Sequence, residues 1–183
     1  MLTKPVVSRH GNIKRSSRAL LCALLLMTMV FLSACGTKLT KYRKEISANV
    51  DVILEETETL EKTLAKLENA VTIKDGVIYE EQLEVLRDCT DKLITAYRNI
   101  AALEAPEEYQ QQQEKLKEYT TQLTDTLAAM PELYTLAGAS ITSELSDEAI
   151  ARIGDLQRQV AATALTADDY DKILNEVLGF EEE

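Results

Sequence analysis

The fold is decided by the stretch ISANVDVILEETETLEKTLAKLENAV, residues 46–71. Its apolar residues recur at alternating steps of four and three, with one interruption at Thr57. This heptad spacing places them on one face of a helix that packs against other helices. Because no proline or glycine occurs from Thr37 to Asp75, we predict one long helix from about Leu39 to Thr72. The predicted row is Ile46, Val50, Ile53, Thr57, Leu60, Leu64, Leu67 and Val71, with Glu55, Glu56, Glu58 and Glu61 outside it.

A turn signal, Lys74-Asp75-Gly76, ends this first helix, and the glycine is expected to supply a positive φ. The flanking residues 71–73 and 77–79 are rich in β-branched side chains. Two alternatives therefore remain open for the segment from Lys74 to Tyr79, a loop or a short two-stranded hairpin. A second helix is predicted from about Tyr79 to Leu103, where Ala105-Pro106 stops it.

A third helix is predicted to begin at Pro106, because proline suits a first helical turn and two glutamates follow it. The glutamine tract from Gln110 to Gln113 is interpreted as an exposed helix face. Pro131 leaves two alternatives, a kink in this helix or the start of a new segment. The predicted loop runs from Gly138 to Ser146.

Two shorter helices are predicted at the end of the chain. Ser146 is expected to cap the first of them. Thr166, with Asp169 three residues later, resembles a capping box that opens the second, and Gly179 is expected to end it.

These amphipathic helices must bury their apolar stripes against one another. The sequence therefore predicts an all-α fold, an up-down helical bundle of three main helices with one or two shorter C-terminal helices. The N-terminal excess of the first helix would form a stalk. The predicted core is Ile46, Val50, Ile53, Leu60, Leu64, Leu86, Cys89, Leu93, Tyr97, Leu116, Leu123 and Leu127.

A second pattern precedes the bundle. The first 34 residues contain five Lys or Arg and no acidic residue, and the 16 residues from Ala19 to Ala34 are predominantly apolar. Cationic, apolar and small residues follow one another in the order of a secretory signal peptide. The apolar run is shorter than the ~20 residues that a spanning helix needs, so an uncleaved transmembrane anchor is the less favoured alternative.

The end of this segment, Leu32-Ser33-Ala34-Cys35, resembles the lipobox of bacterial lipoproteins. The resemblance implies a diacylglyceryl group on the sulfur of Cys35 and cleavage just before it. It also implies an extracytoplasmic protein that the lipid anchors to the cell membrane, in a bacterium with one membrane or two. Residues 1–34 would then be the cleaved signal peptide, 35–45 a lipidated tether and 46–183 the helical bundle domain. Two acyl chains give a stable attachment.

Charge is distributed unevenly along the remaining chain. Four basic residues without an acid among them follow Cys35, and basic residues near an anionic lipid surface contribute about 1 kcal/mol each. Residues 45–183 carry 11 basic and 31 acidic residues, a net charge of −20, which argues against nucleic-acid binding. An ordinary solvated helix face is the alternative interpretation of the basic cluster. The predicted membrane-proximal basic residues are Lys38, Lys41, Arg43 and Lys44.

The residues after Cys35 offer few catalytic groups. The only histidine, His10, lies in the predicted signal peptide, and Cys89 is expected to be a buried and inert thiol. We therefore predict no enzymatic activity, no cofactor and no metal site. Two functions remain, a non-enzymatic interaction module that binds another envelope protein, or a binder of small ligands or cell-wall glycan in a cavity between helices.

Overall fold

The computed structural model describes residues 13–180, with side chains described from 37 to 163 and from 166 to 180. This part of the chain forms five α-helices and one 3-10 turn, without a strand, so the predicted all-α bundle is confirmed. The side chains of the lipobox-like residues 32–35 lie outside the described residues. The helices are α1 (Ile13–Ile73), α2 (Gly76–Ala102), α3 (Gln110–Ala139), α4 (Asp147–Ala162) and α5 (Ala164–Leu178), with the 3-10 turn at Glu107–Tyr109.

The chain divides into two compact units between Thr40 and Lys41. The described residues of the first unit are helical and belong to α1. The second unit contains the bundle and begins five residues before the predicted boundary at Ile46. Tyr42 accounts for the difference, because it is only 3% exposed and belongs to the main core cluster.

The buried row of α1 differs from the predicted row. Ile46, Ile53 and Leu67 are buried as predicted, but Leu60 is half-buried, and so are Val50 and the residues 7, 14 and 21 positions after it. Glu56, expected outside the row, is 8% exposed. The reason is that α1 packs against several helices, so its buried face is wider than a two-helix seam. A further line of residues, spaced seven positions apart, faces the interior. Its members are Tyr42, Asn49, Glu56, Thr63 and Ala70, of which Asn49 is half-buried.

The end of α1 is a Schellman motif. The backbone N–H of Lys74 donates to the carbonyl of Val71 at 3.2 Å, and that of Asp75 to the carbonyl of Ala70 at 2.9 Å. Lys74 adopts φ 58°, so the positive φ predicted for Gly76 lies two residues earlier.

The start of α2 follows at once and excludes the hairpin. The carboxylate of Asp75 accepts hydrogen bonds from the backbone N–H groups of Val77 and Ile78, both at 3.0 Å. This N-cap satisfies two donors that a helix leaves unpaired, which favours helix over strand despite the β-branched residues. Gly76 is therefore the first residue of α2, three residues before the predicted start.

α3 runs without interruption through Pro131, so the alternative that this proline starts a new segment is wrong. The helix also continues past Gly138, where the predicted loop was to begin, and ends at Ala139. Gly138 has a packing role, because a Cβ atom at this position would clash with the ring of Tyr79.

The two C-terminal helices differ in how well their starts were predicted. Ser146 caps α4 as expected, accepting a hydrogen bond from the N–H of Ala149 at 3.2 Å. The capping box at Thr166 is wrong, because α5 begins at Ala164, directly after Thr163. The Thr166 hydroxyl instead donates to the side chain of Gln122 at 2.9 Å. The predicted stop is confirmed, with Gly179 at φ 84°.

The predicted core is confirmed, with a distinction in depth. Eight of the twelve predicted residues are buried: Ile46, Ile53, Leu86, Cys89, Leu93, Leu116, Leu123 and Leu127. The other four, Val50, Leu60, Leu64 and Tyr97, are half-buried and pack against the core clusters.

Candidate interaction surfaces

The four predicted membrane-proximal basic residues separate into two groups. Lys38, Lys41 and Lys44 are exposed, and Lys41 lies 3.7 Å from Glu45 one turn later. Arg43 is half-buried. Three exposed ammonium groups are therefore available to anionic groups in solution or on a surface.

The guanidinium of Arg43 is engaged within the bundle. Its Nε donates to the carbonyl of Val177 at 2.8 Å, and Nη2 donates to the hydroxyl of Tyr109 at 2.9 Å. The guanidinium carbon also lies 5.7 Å from the centroid of the Tyr109 ring. Val177 is in the last turn of α5, where a cation interacts favourably with the helix dipole. Arg43 thus ties the start of the bundle to its last helix.

Gln113 is the exception in the glutamine tract, whose predicted exposure is wrong at this position. It is buried and its Oε1 accepts a hydrogen bond from the Tyr42 hydroxyl at 2.6 Å. Its Nε2 donates to the carbonyls of Ile100 and Ala101 at 2.8 and 3.1 Å, near the end of α2. The side chain therefore links α1, α2 and α3 and donates to carbonyls in the last turn of α2.

Tyrosine side chains form part of the core around this link. The rings of Tyr97 and Tyr170 meet edge to face with centroids 5.1 Å apart. The Tyr170 hydroxyl is buried without a hydrogen-bond partner among the described residues. Burial raises the pKa of Tyr42 and of Tyr97 to about 12. These tyrosines pack the interior, and none of them lines the three surface grooves of the described part of the chain.

Cys89 is buried as predicted, with its thiol donating to the carbonyl of Leu86 at 3.3 Å. Burial and, to a lesser extent, the carboxylate of Glu56 raise the pKa of the Cys89 thiol. A raised pKa lowers the thiolate fraction, which makes this sulfur a poor nucleophile.

The contact between α1 and α2 is polar at its outer edge. Lys92 lies 2.9 Å from Glu56 and 2.8 Å from Asp88, and these two hydrogen bonds raise the pKa of its ammonium. Two helix turns further along α2, the side-chain amide of Asn99 donates a hydrogen bond to the side-chain oxygen of Asn49 at 3.1 Å. The sequence did not indicate the pairs Lys92–Glu56 and Asn99–Asn49, because each joins residues far apart in the chain.

The described surface carries shallow grooves that are open to solvent. One of about 460 Å³ lies at the connection between α2 and α3, beside Leu103, Gln110 and Lys117. Another of about 310 Å³ follows the polar contact of α1 and α2, and a third of about 360 Å³ lies along the start of α2. Their volumes suit small ligands, but because the grooves are open, a bound ligand would have little of its surface buried.

Large aliphatic side chains are exposed at the turn between α1 and α2. Ile73 is 56% exposed, Val77 72% and Ile78 38%. The sequence had left a loop or a short hairpin open for Lys74 to Tyr79, the hairpin because the flanking residues are β-branched. The structure instead places them in helix ends, where their side chains meet water.

Within the described ranges, no group of three or more His, Cys, Asp or Glu residues is arranged to hold a metal ion. No helix in the described part of the chain combines the length and the apolar character needed to cross a membrane. Comparison with known proteins gives no match to a family model, to a curated protein or to a solved structure.

Proposed function

We propose that this chain is a lipid-anchored extracytoplasmic protein whose helical bundle binds another protein of the cell envelope. The exposed aliphatic residues Ile73, Val77 and Ile78 carry this proposal. Contiguous apolar surface on a protein is costly in water, and it commonly marks a site of protein–protein contact.

Attachment to the membrane is proposed from the sequence order that ends at Cys35. A diacylglyceryl group on its sulfur would hold the bundle at the outer face of the membrane. The exposed Lys38, Lys41 and Lys44 support this arrangement; among the described side chains, the ion pair that they form is that of Lys41 with Glu45. Near anionic lipid they would add about 1 kcal/mol each, while the acidic body is repelled from the surface.

We propose that the protein has no catalytic role of its own. The only histidine precedes the proposed cleavage site, and the pKa of the buried Cys89 thiol is raised. The buried polar link between Tyr42 and Gln113 holds three helices together. These observations explain Cys89, Tyr42 and Gln113 by their role in packing the bundle, without a catalytic role.

The groove of about 460 Å³ between α2 and α3 favours the alternative function, binding of a small ligand or cell-wall glycan. Its lining includes Glu104, Gln110, Glu114 and Lys117, which offer donors and acceptors for hydroxyl groups. The openness of the groove makes this the second candidate.

Two measurements test the proposed function in cells that produce the chain. The intact mass and detergent partitioning of the wild type are compared with those of Cys35→Ala. We expect a lipidated wild type in the detergent phase and an unmodified variant in the aqueous phase. Wild type found unmodified in the aqueous phase contradicts the anchor.

The binding role is tested by chemical crosslinking in intact cells. We expect one envelope protein to be crosslinked to the wild type reproducibly, and less to Cys35→Ala, because the lipid raises the effective concentration at the membrane. Saturable binding of a purified muropeptide without such a crosslink supports the alternative. Turnover of cell-wall material that one Asp or Glu substitution abolishes contradicts both.

A further inference from the structure

The exposed aliphatic residues at the α1–α2 turn follow one another closely in the chain, between positions 73 and 78. Single exposed aliphatic side chains are ordinary on protein surfaces. Ile150, for example, is the only exposed large aliphatic residue on α4. Here three exposed aliphatic residues flank one turn within six positions of the chain.

The backbone beneath these residues is fixed on both sides of the turn. The Schellman hydrogen bonds close α1, and the carboxylate of Asp75 caps α2. The buried Tyr79 follows in the first turn of α2, and its hydroxyl donates to the carbonyl of Tyr134 in α3. The aliphatic side chains are therefore presented on a preorganised support, which lowers the entropy cost of binding a partner.

Acidic side chains border the same surface. The groove of about 360 Å³ along the start of α2 is lined by Gly76, Val77, Glu80, Glu81 and Glu84. All three glutamates are exposed, and none forms an ion pair within the described part of the chain. Their spacing puts them on adjoining positions of one helix face. The turn therefore presents exposed aliphatic side chains next to three exposed carboxylates on α2, with the exposed Lys74 at the turn itself.

We propose that the turn patch, defined as Ile73, Val77, Ile78, Glu80, Glu81 and Glu84, binds a cationic amphipathic segment of another envelope protein. The proposal rests on the proposed function and names its surface and the chemistry of its partner. Apolar side chains of the segment cover the aliphatic centre, and its Lys or Arg residues pair with the three carboxylates. A second copy of this chain docked through its own turn patch is excluded as the occupant, because its glutamates would face these and repel them. An anionic lipid surface is excluded for the same reason.

Site-specific photocrosslinking of the full chain in its own cells tests the proposal. A photoreactive amino acid replaces Val77 in one variant, and Leu54 or Ile150, which are also well exposed, in two controls. We expect position 77 to crosslink to another protein, with the attachment mapped to a segment of net positive charge that contains apolar residues. The control positions should give at least tenfold less of this product.

The role of the three glutamates is tested by two triple variants of the chain that carries the photoreactive amino acid at position 77. Glu80→Gln/Glu81→Gln/Glu84→Gln removes three charges from the turn patch, and Glu107→Gln/Glu108→Gln/Glu118→Gln removes three exposed charges elsewhere. The first should lower the crosslink yield about tenfold, since each exposed ion pair contributes a factor of roughly 1.5 to 5. The second should change it less than twofold. Circular dichroism of both variants verifies that the helices are retained.

The outcomes separate the two proposals. Attachment of position 77 to a neutral or acidic segment, or to a second copy of this chain, overturns the turn patch. Equal losses in the two triple variants overturn it as well. Crosslinks to another protein from position 54 or 150 alone overturn the turn patch and leave the proposed function standing. Absence of a protein crosslink from all three positions overturns both.

Discussion

At the scale of single residues, Arg43 contributes to packing of the bundle, whereas the neighbouring lysines are exposed charges. Replacement by alanine removes two hydrogen bonds and the cation at the end of α5, so Arg43→Ala should lower the free energy of unfolding by ~1–3 kcal/mol. Lys41→Ala, at an exposed site two residues away, should change it by less than ~0.5 kcal/mol. Denaturant unfolding followed by circular dichroism measures both. Equal effects would show that the guanidinium contacts contribute nothing.

Two helical glycines form a matched pair at the same scale. A Cβ at Gly138 would clash with the Tyr79 ring, so Gly138→Ala should destabilise the fold by ~1–3 kcal/mol. At Gly154 the nearest such contact is 3.9 Å from the Arg158 side chain, which leaves room for a methyl group. Gly154→Ala should therefore stabilise α4 by ~0.5–1 kcal/mol through helix propensity. Thermal unfolding of the two variants should shift in opposite directions, and shifts of the same sign would contradict this assignment.

At the scale of the helices, the end of α1 stores a small backbone strain. Lys74 holds φ 58°, a region that glycine adopts without steric cost. Lys74→Gly should raise the free energy of unfolding by ~0.5–1 kcal/mol, because the Schellman motif favours glycine at this position. Lys62→Gly, in the interior of α1, should instead lower it by ~1 kcal/mol. If Lys74→Gly also destabilises, the left-handed conformation at this position is wrong.

At the scale of the whole molecule, buried tyrosines set the alkaline limit of stability. Burial raises the pKa of Tyr42, Tyr79 and Tyr97 from 10.0 to about 12. The folded state disfavours the phenolate form of these side chains. Their contribution to the free energy of unfolding is therefore fully present below about pH 10, the pH at which tyrosines of the unfolded chain begin to ionise. It is lost as the pH rises towards about 12. Unfolding should therefore begin above about pH 10.

Parallel titrations of tyrosinate absorbance and helical circular dichroism measure this effect. The two signals should change together, because the buried phenols ionise as the bundle opens. Tyr97→Phe removes one such group and should make the decline of stability with pH less steep. Complete ionisation near pH 10 with an intact helical signal would contradict the burial of these rings.

Local patterns in the sequence were sufficient for much of the fold. The helices, the stop at Gly179 and the cap at Ser146 depend on residues close together in the chain, whose backbone preferences act within one or two turns. The apolar spacing of residues 46–71 likewise determined that α1 packs as part of a bundle. The position of the turn at Lys74 was predicted, but the immediate start of a helix after it was not. The side-chain cap of Asp75 outweighed the β-branched residues beside it.

The tertiary structure decided which side chains the bundle uses and which it leaves in water. Arg43 and Val177 are 134 positions apart, and Tyr42 and Gln113 are 71 apart, so no local pattern indicated either contact. Glu56 is buried and pairs with Lys92 of a neighbouring helix, a contact that no local pattern indicated either. The sequence determined by itself that the chain forms amphipathic helices, because helix formation follows from local spacing. Only packing determined the buried polar partners and the turn patch, because burial depends on the residues that other helices bring into contact.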